Sequence, residues 1–267
     1  MKTTILVVMA MTVMACGKSQ SDNAQRVNVQ TDYTDTSSKT EIACPSQTAN
    51  TAVFFAFGQS NSANSDEHLY SNSDARIINY FEGHCYVASD PMLGATSFDG
   101  SVWIPMAQQL IATGNYDNII LITAGYGGSA IQDWVANGML SPRYAERLLD
   151  ATSHYQITGF LWHQGESNVG TNPSDYTSWL NQVINQAFTV APSAKFYVSV
   201  ATFCQGRSDA NIENAQRSIV NGTNILAGPD TDGGVPMSMR RSTDHCHLNQ
   251  LGQETAATLW FNALTGI

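Results

Sequence analysis

Ser60, in Phe57-Gly58-Gln59-Ser60-Asn61, comes directly after an apolar run, where a short turn would present its hydroxyl. A serine hydroxyl attacks a carbonyl only when a base takes its proton and donors receive the oxyanion that forms. The base is suggested by Thr243-Asp244-His245-Cys246-His247-Leu248-Asn249. Asp244 and His247 stand three apart, so within a turn the carboxylate lies against one ring nitrogen while the other faces the nucleophile. This is the orienter and base relation of a Ser-His-Asp triad. His245 is a rival base, ranked lower because adjacent residues diverge in direction. The backbone amides of Ser60 and Gly128 are candidate oxyanion donors, since glycine lets the chain approach a substrate oxygen closely. A third donor is the side-chain amide of Gln164 or Asn168.

Each feature has a plainer explanation when taken singly. A serine after a strand is usually a turn former, an isolated Asp-x-x-His usually caps a helix, and Gly127-Gly128 is an ordinary glycine turn. Ser129 and Ser167 also follow glycines, but neither completes Gly-x-Ser-x-Gly, because Ile131 and Val169 stand where the closing glycine would be. Glu166 is a second carboxylate, expected to brace its loop or to replace Asp244 as orienter; a glycosidase pair with a distant Asp has no identifiable partner. Gln59 and Asn61 are expected, with Glu166, to touch substrate or to support the loops.

Positioning such residues needs a rigid frame. Residues 52–57, 118–123, 158–162 and 195–200 are short apolar runs of the kind buried in parallel sheets. Between them, apolar residues at spacings of three and four predict helices over 102–110, 144–155 and 176–187, with a last helix after His247. Strand and helix in alternation predict a three-layer α/β/α sandwich around a mostly parallel sheet. Ligands bind outside the carboxyl ends of such strands. The first three runs lead into Gly58-Gln59-Ser60-Asn61, Gly125-Tyr126-Gly127-Gly128-Ser129 and His163-Gln164-Gly165-Glu166-Ser167-Asn168, so all three loops should meet on one edge.

The 267 residues are 43% hydrophobic, enough for one catalytic domain. A formal net charge of -10 disfavours nucleic acid as a partner, because its phosphates would be repelled. Residues 1–15 combine a basic start with a short apolar run and predict a signal peptide. Val13-Met14-Ala15-Cys16 resembles a bacterial lipobox, which makes Cys16 the expected lipidation site and the N-terminal lipid the only membrane attachment. The chain is then an exported lipoprotein facing the periplasm or the cell surface. Residues 17–43, rich in Ser, Thr, Asp, Asn and Gln, are expected to be a flexible tether, with the folded domain spanning 44–267. Export favours disulfides among the other four cysteines, and of three possible pairings we expect Cys44 with Cys85 and Cys204 with Cys246. A zinc site lacks any close Cys-x-x-Cys pair.

Taken together, Gly58-Gln59-Ser60-Asn61, Gly127-Gly128-Ser129 followed by Trp134, Trp162-His163-Gln164-Gly165-Glu166-Ser167-Asn168 and Asp244-x-x-His247 resemble the blocks of the SGNH hydrolase superfamily. Within it they look most like the sialate O-acetylesterase-like and acetyl xylan esterase group (carbohydrate esterase family 6-like). The resemblance runs from about Ala52 to the C-terminus. It implies a flavodoxin-like fold and a serine esterase that acts on O-acetylated sugars without metal or other cofactor. Ser60 would be the nucleophile, His247 the base, Asp244 its orienter, and Gly128 with a polar residue of the third loop the oxyanion hole. The superfamily's third block usually supplies an Asn there; because this branch carries His-Gln-Gly-Glu, the role falls to Gln164 first and Asn168 second. Ser62-Ala63-Asn64 also departs from the group's usual Met-Ala-Gly, which bears on the substrate. A lipase or thioesterase acting on longer acyl chains, and a non-catalytic carbohydrate-binding lipoprotein, are the competing expectations.

Overall fold

The computed structural model describes residues 30–267. Its eight strands are β1 (Glu41–Ile42), β2 (Thr51–Gly58), β3 (Ile77–Phe81), β4 (His84–Val87), β5 (Asn118–Thr123), β6 (Gly159–His163), β7 (Lys195–Val200) and β8 (Ile225–Asp230). They form one sheet in the order β1-β4-β3-β5-β2-β6-β7-β8. Only the pairs β1 with β4 and β3 with β4 are antiparallel. Numbered among themselves, β2, β5, β6, β7 and β8 stand in the 2-1-3-4-5 order of flavodoxin-like sheets, whose ligand crevice lies between the first and third strands. Here those are β2 and β6.

Side-chain alternation along the strands separates two cores. Val53, Phe55 and Phe57 of β2 point to one face, where they meet α2 (Ser141–His154), α3 (Pro173–Val190) and α4 (Ala210–Ser218). Ala52, Phe54 and Ala56 point to the other, covered by α1 (Trp103–Ala112) and α6 (Gln250–Thr265). Phe57 lies at the centre of an aromatic cluster, with Trp162 at 4.8 Å and Tyr144 stacked at 5.0 Å between centroids. The rigidity of the β2 end therefore comes from close packing immediately beneath Ser60. The three-layer sandwich is the architecture expected from the sequence.

Both expected disulfides form, Cys44–Cys85 and Cys204–Cys246. The tether reading needs correction at its distal end, because residues 30–43 lie against the domain. Tyr33 N–H donates to Ala95 O at 2.8 Å and Gly94 N–H to Tyr33 O at 2.9 Å. Asp32 pairs with Arg143 at 2.7 Å and Arg147 at 3.1 Å, and Lys39 donates to the carbonyls of Ser89 and Pro91. Polar composition understated this segment because most of its partners are charged groups and backbone, with Tyr33 and Ile42 as the apolar contacts. Cys16 and the signal segment lie outside the described residues. Among the described residues no helix is long and apolar enough to cross a membrane.

Asp90 gives the fold a pH dependence. It accepts Tyr70 N–H, Ser101 N–H and Ser101 Oγ–H, yet burial pushes its carboxyl from 3.8 up to about 7. A carboxyl with a raised folded-state pKa contributes stability that is fully present below about pH 3.8 and lost as pH rises through about 7. Relative to Asp90→Asn, the wild type should lose on the order of 4 kcal/mol between pH 4 and pH 8. Urea denaturation of both proteins across that range checks this, and a pH-independent difference would contradict it.

Candidate active site

The register of the central strands aligns the three loops. Gly58 of β2 stands opposite His163 of β6, and Ala56 opposite Thr123 of β5. Backbone bonds then stitch the loops: Gln59 N–H donates to His163 O and Tyr126 N–H to Gly58 O, both at 2.9 Å. Gly58 has φ 128, and a Cβ there would lie 2.1 Å from His163 O, so the chain passes at a distance only glycine permits. Ser60 follows as the first residue of a single 3-10 turn, Ser60–Ser62. It is 7% exposed and lines a cleft of about 340 Å³.

His247 lines the same cleft. Its Nδ1 meets Asp244 Oδ2 at 2.8 Å, while Asp244 Oδ1 accepts the amides of Cys246 and His247 at 2.9 and 3.0 Å. A carboxylate can only accept, so Nδ1 is the donor in this pair. Burial opposes ionisation of Asp244, but the His247 bond and the two amides outweigh it and hold the carboxyl below its usual value. The helix after His247 is capped by Asn249, which accepts Gly252 N–H, so Asp244 does not serve as its cap. His245 is exposed at φ 49 and does not line the cleft.

Two further anchors hold this turn. Cys246 is bonded to Cys204, and both line the cleft wall. Leu248 N–H donates to Asp66 Oδ1 at 3.0 Å, and burial pushes the Asp66 carboxyl well above its usual range. Arg241, not singled out in the sequence, bonds Ser65 O and lies 3.9 Å from Asp244 Oδ2. An arginine three residues before an aspartate in a turn is the only sequence signal it carries.

The side-chain amides of the third loop face away from the cleft. Gln164 is 0% exposed, and its Nε2 is taken up by Asn168 Oδ1 at 2.7 Å, Gln59 Oε1 and Ser129 O. Asn168 Oδ1 also accepts Ile131 N–H, while its Nδ2 donates to Gln132 and Thr171. Neither residue lines the cleft, and both brace the loops against one another. Gln59 lines it instead. Its Oε1 accepts Gly165 N–H at 3.2 Å and Ser167 N–H at 3.1 Å, and because a backbone N–H can only donate, that atom must be the oxygen. The Gln59 NH2 is therefore the end left for the cleft. Among the described residues no acceptor takes the amide hydrogens of Ser60 or Gly128, and Gly128 turns at φ 71 with open space where a Cβ would be.

Glu166 braces its loop, the first of the two roles expected of it. Its Oε1 accepts Asn61 Nδ2 at 2.7 Å and lies 3.5 Å from His163 Nε2, with the side chain 2% exposed. Burial acts to raise this carboxyl, but His163 and Asn61 outweigh it and hold it below its usual value. Glu166 and Asn61 thus tie the first loop to the third, and Glu166 does not take the place of Asp244. Gln30, Ser65 and Ser97 complete the lining without having been anticipated. Among the described residues no cluster of His, Cys, Asp or Glu could hold a metal ion.

Residues 50–264 match the family model described as carbohydrate esterase, sialic acid-specific acetylesterase. No sequence among the curated proteins matches the chain. Among solved structures, a protein from Arabidopsis thaliana is 18% identical with a TM-score of 0.65, over 81% of this chain and 98% of its own. NanS is 13% identical with a TM-score of 0.54, over 81% and 97%. The acetylxylan esterase Axe2 from Geobacillus stearothermophilus is 12% identical with a TM-score of 0.53, over 81% and 94%. At these identities the likeness is one of fold.

Proposed function

Starting from a chain that belongs to the sialic acid-specific acetylesterase family of carbohydrate esterases, we propose that it removes O-acetyl groups from sugars through Ser60, His247 and Asp244. The chain is a carboxylic ester hydrolase by family; the triad, the acyl-enzyme and the substrate are our reading. The observation that carries it is the sharing of one cleft by Ser60 and His247, with Asp244 on the ring nitrogen away from it. Ser60 Oγ attacks the acetyl carbonyl as His247 Nε2 takes its proton. The tetrahedral intermediate collapses to the acetyl-serine, and the imidazolium returns the proton to the departing sugar oxygen. Water then attacks the acyl group with His247 again as base, which releases acetate and restores Ser60.

We assign the oxyanion hole to the amides of Ser60 and Gly128 and to Gln59 Nε2. Gln59→Glu keeps an oxygen for Gly165 and Ser167 while removing the NH2 donor, so kcat for an aryl acetate should fall by about 10²-fold or more. An unchanged kcat would return the role to another group.

The cleft wall consists mainly of Ser, Gly and Gln with a disulfide, which favours a short acyl group and a hydroxylated leaving group over a long acyl chain. The family model is described by sialic acid and the acetylxylan esterase shares the fold, so sialate and xylan acetates are the first substrates to try. Two disulfides fit an oxidising compartment, in keeping with export and with lipidation at Cys16. Acetate released from these substrates by the purified protein tests the reading; no release from any acetate ester would end it.

A further inference from the structure

A second hollow of about 340 Å³ lies beside the Ser60 cleft and shares Gln30 and Ser97 with it. Thr31, Phe98 and Asp99 complete that hollow. Phe98 is 64% exposed. A single exposed apolar side chain needs no explanation, but the surroundings of this one do. Ser97 is held at φ 74, a left-handed conformation that costs free energy in any residue but glycine, and its Oγ is tied to Ser65 Oγ at 3.1 Å. The turn so fixed presents Phe98 outward at the edge of the catalytic cleft. Tyr33 supports the ring edge to face, with centroids 6.0 Å apart. Tyr33 is itself pinned to residues 94–95 by its backbone, and its neighbour Asp32 by two arginines. Backbone strain, a braced ring and an N-terminal segment bonded into place converge on one aromatic surface left open.

We propose that Phe98 and residues 30–33 form a second sugar subsite. A ring adjacent to the acetylated one stacks on Phe98, and the substrate is an acetylated oligosaccharide or polysaccharide of neutral sugars. This rests on the acetylesterase reading above. A pyranose has an apolar face of C–H groups and a rim of hydroxyls. Phe98 suits the face, while Gln30, Thr31 and Asp99 offer hydrogen-bonding groups to the rim. The two hollows border on the same two residues, Gln30 and Ser97, which puts a glycosidically linked neighbour of the reacting sugar within reach of the second. Among the described residues no Lys or Arg lines either hollow, and the carboxyl groups that do are those of Asp99 and Glu166. The nearby Arg241 is engaged with Ser65 O and Asp99. An anionic ring would meet these carboxyl groups, which selects against it.

The test compares kcat/KM for partially acetylated xylo-oligosaccharide with that for an aryl acetate, too small to span both hollows, in wild type, Phe98→Ala and Phe98→Tyr. The ratio should fall about tenfold in Phe98→Ala, chiefly through KM, and be restored by Phe98→Tyr. A ratio unchanged by Phe98→Ala overturns the subsite, as does more efficient turnover of O-acetylated sialic acid than of the neutral oligosaccharide. Calorimetry of deacetylated xylo-oligosaccharide with Ser60→Ala and with Ser60→Ala/Phe98→Ala separates the subsite from the chemistry. Binding that weakens about tenfold without Phe98 supports the subsite even where wild type hydrolyses no ester, which would defeat only the esterase reading. Absence of binding, or binding indifferent to Phe98, overturns it.

Discussion

Ser60→Ala is expected to lower kcat for acetate release by 10⁴-fold or more, on the order of what loss of a serine nucleophile costs in a triad. The fold should be spared. Ser60 lines the cleft and belongs to none of the hydrophobic core clusters, so its truncation opens no cavity in the core. Thermal unfolding of the variant within a few degrees of wild type, together with the rate loss, would show that the effect lies in the chemistry. On the proposal that Ser60 and His247 act as a unit, adding His247→Ala should cost little more. A double variant a further 10³-fold slower would mean that His247 acts on something other than the serine. Labelling with a serine-directed phosphonate gives a second readout, and modification of Ser129 or Ser167 in place of Ser60 would overturn the assignment.

Asp244→Asn should be nearly as severe, with kcat down by about 10³- to 10⁴-fold. One oxygen of Asp244 is already committed to two backbone amides, so an asparagine must place its oxygen there and turn its NH2 toward His247 Nδ1. That forces the ring into the other tautomer, with the proton on Nε2 where the serine needs a base. The measurement is a pH-rate profile of variant and wild type. Recovery of rate toward high pH, where hydroxide replaces the lost base, is expected in the variant. A variant with wild-type kcat would return the orienting role to another group, and Glu166 is a poor candidate because His163 and Asn61 hold it.

Much of the fold is legible in the sequence because the buried parallel strands are nearly pure apolar runs. β2, β5, β6 and β7 fall within a residue of expectation, and α1, α2 and α3 within three. The elements missed are those whose stability comes from neighbours. β8 contains Gly228-Pro229, which argues against a strand, but it lies at the edge of the sheet, where a missing N–H is tolerated. β3 is interrupted by Asn79, a polar residue made acceptable in the core by Leu93 N–H at 2.7 Å. α4 offers only Ile212 and Ala215 as buried apolar residues, too few for a periodic signal, and α3 and β7 pack against it.

Within the site the division follows the range of the interactions. The Asp244 and His247 pair was readable because both partners lie in one turn, where spacing alone brings a carboxylate to a ring nitrogen. Ser60 gained meaning from company: the loops of β2, β5 and β6 meet because parallel strands in register must end together. What the sequence could not decide was which amide faces the cleft. Gln59 and Gln164 are chemically the same group, each at the mouth of a central strand. They differ only in the partners that claim their two ends, Gly165 and Ser167 for the oxygen of one, Asn168 for the nitrogen of the other, with Gln59 and its partners more than 100 residues apart in the chain. A side-chain amide has no preferred direction of its own; the donors and acceptors packed around it set its orientation, and those exist only once the loops are folded together.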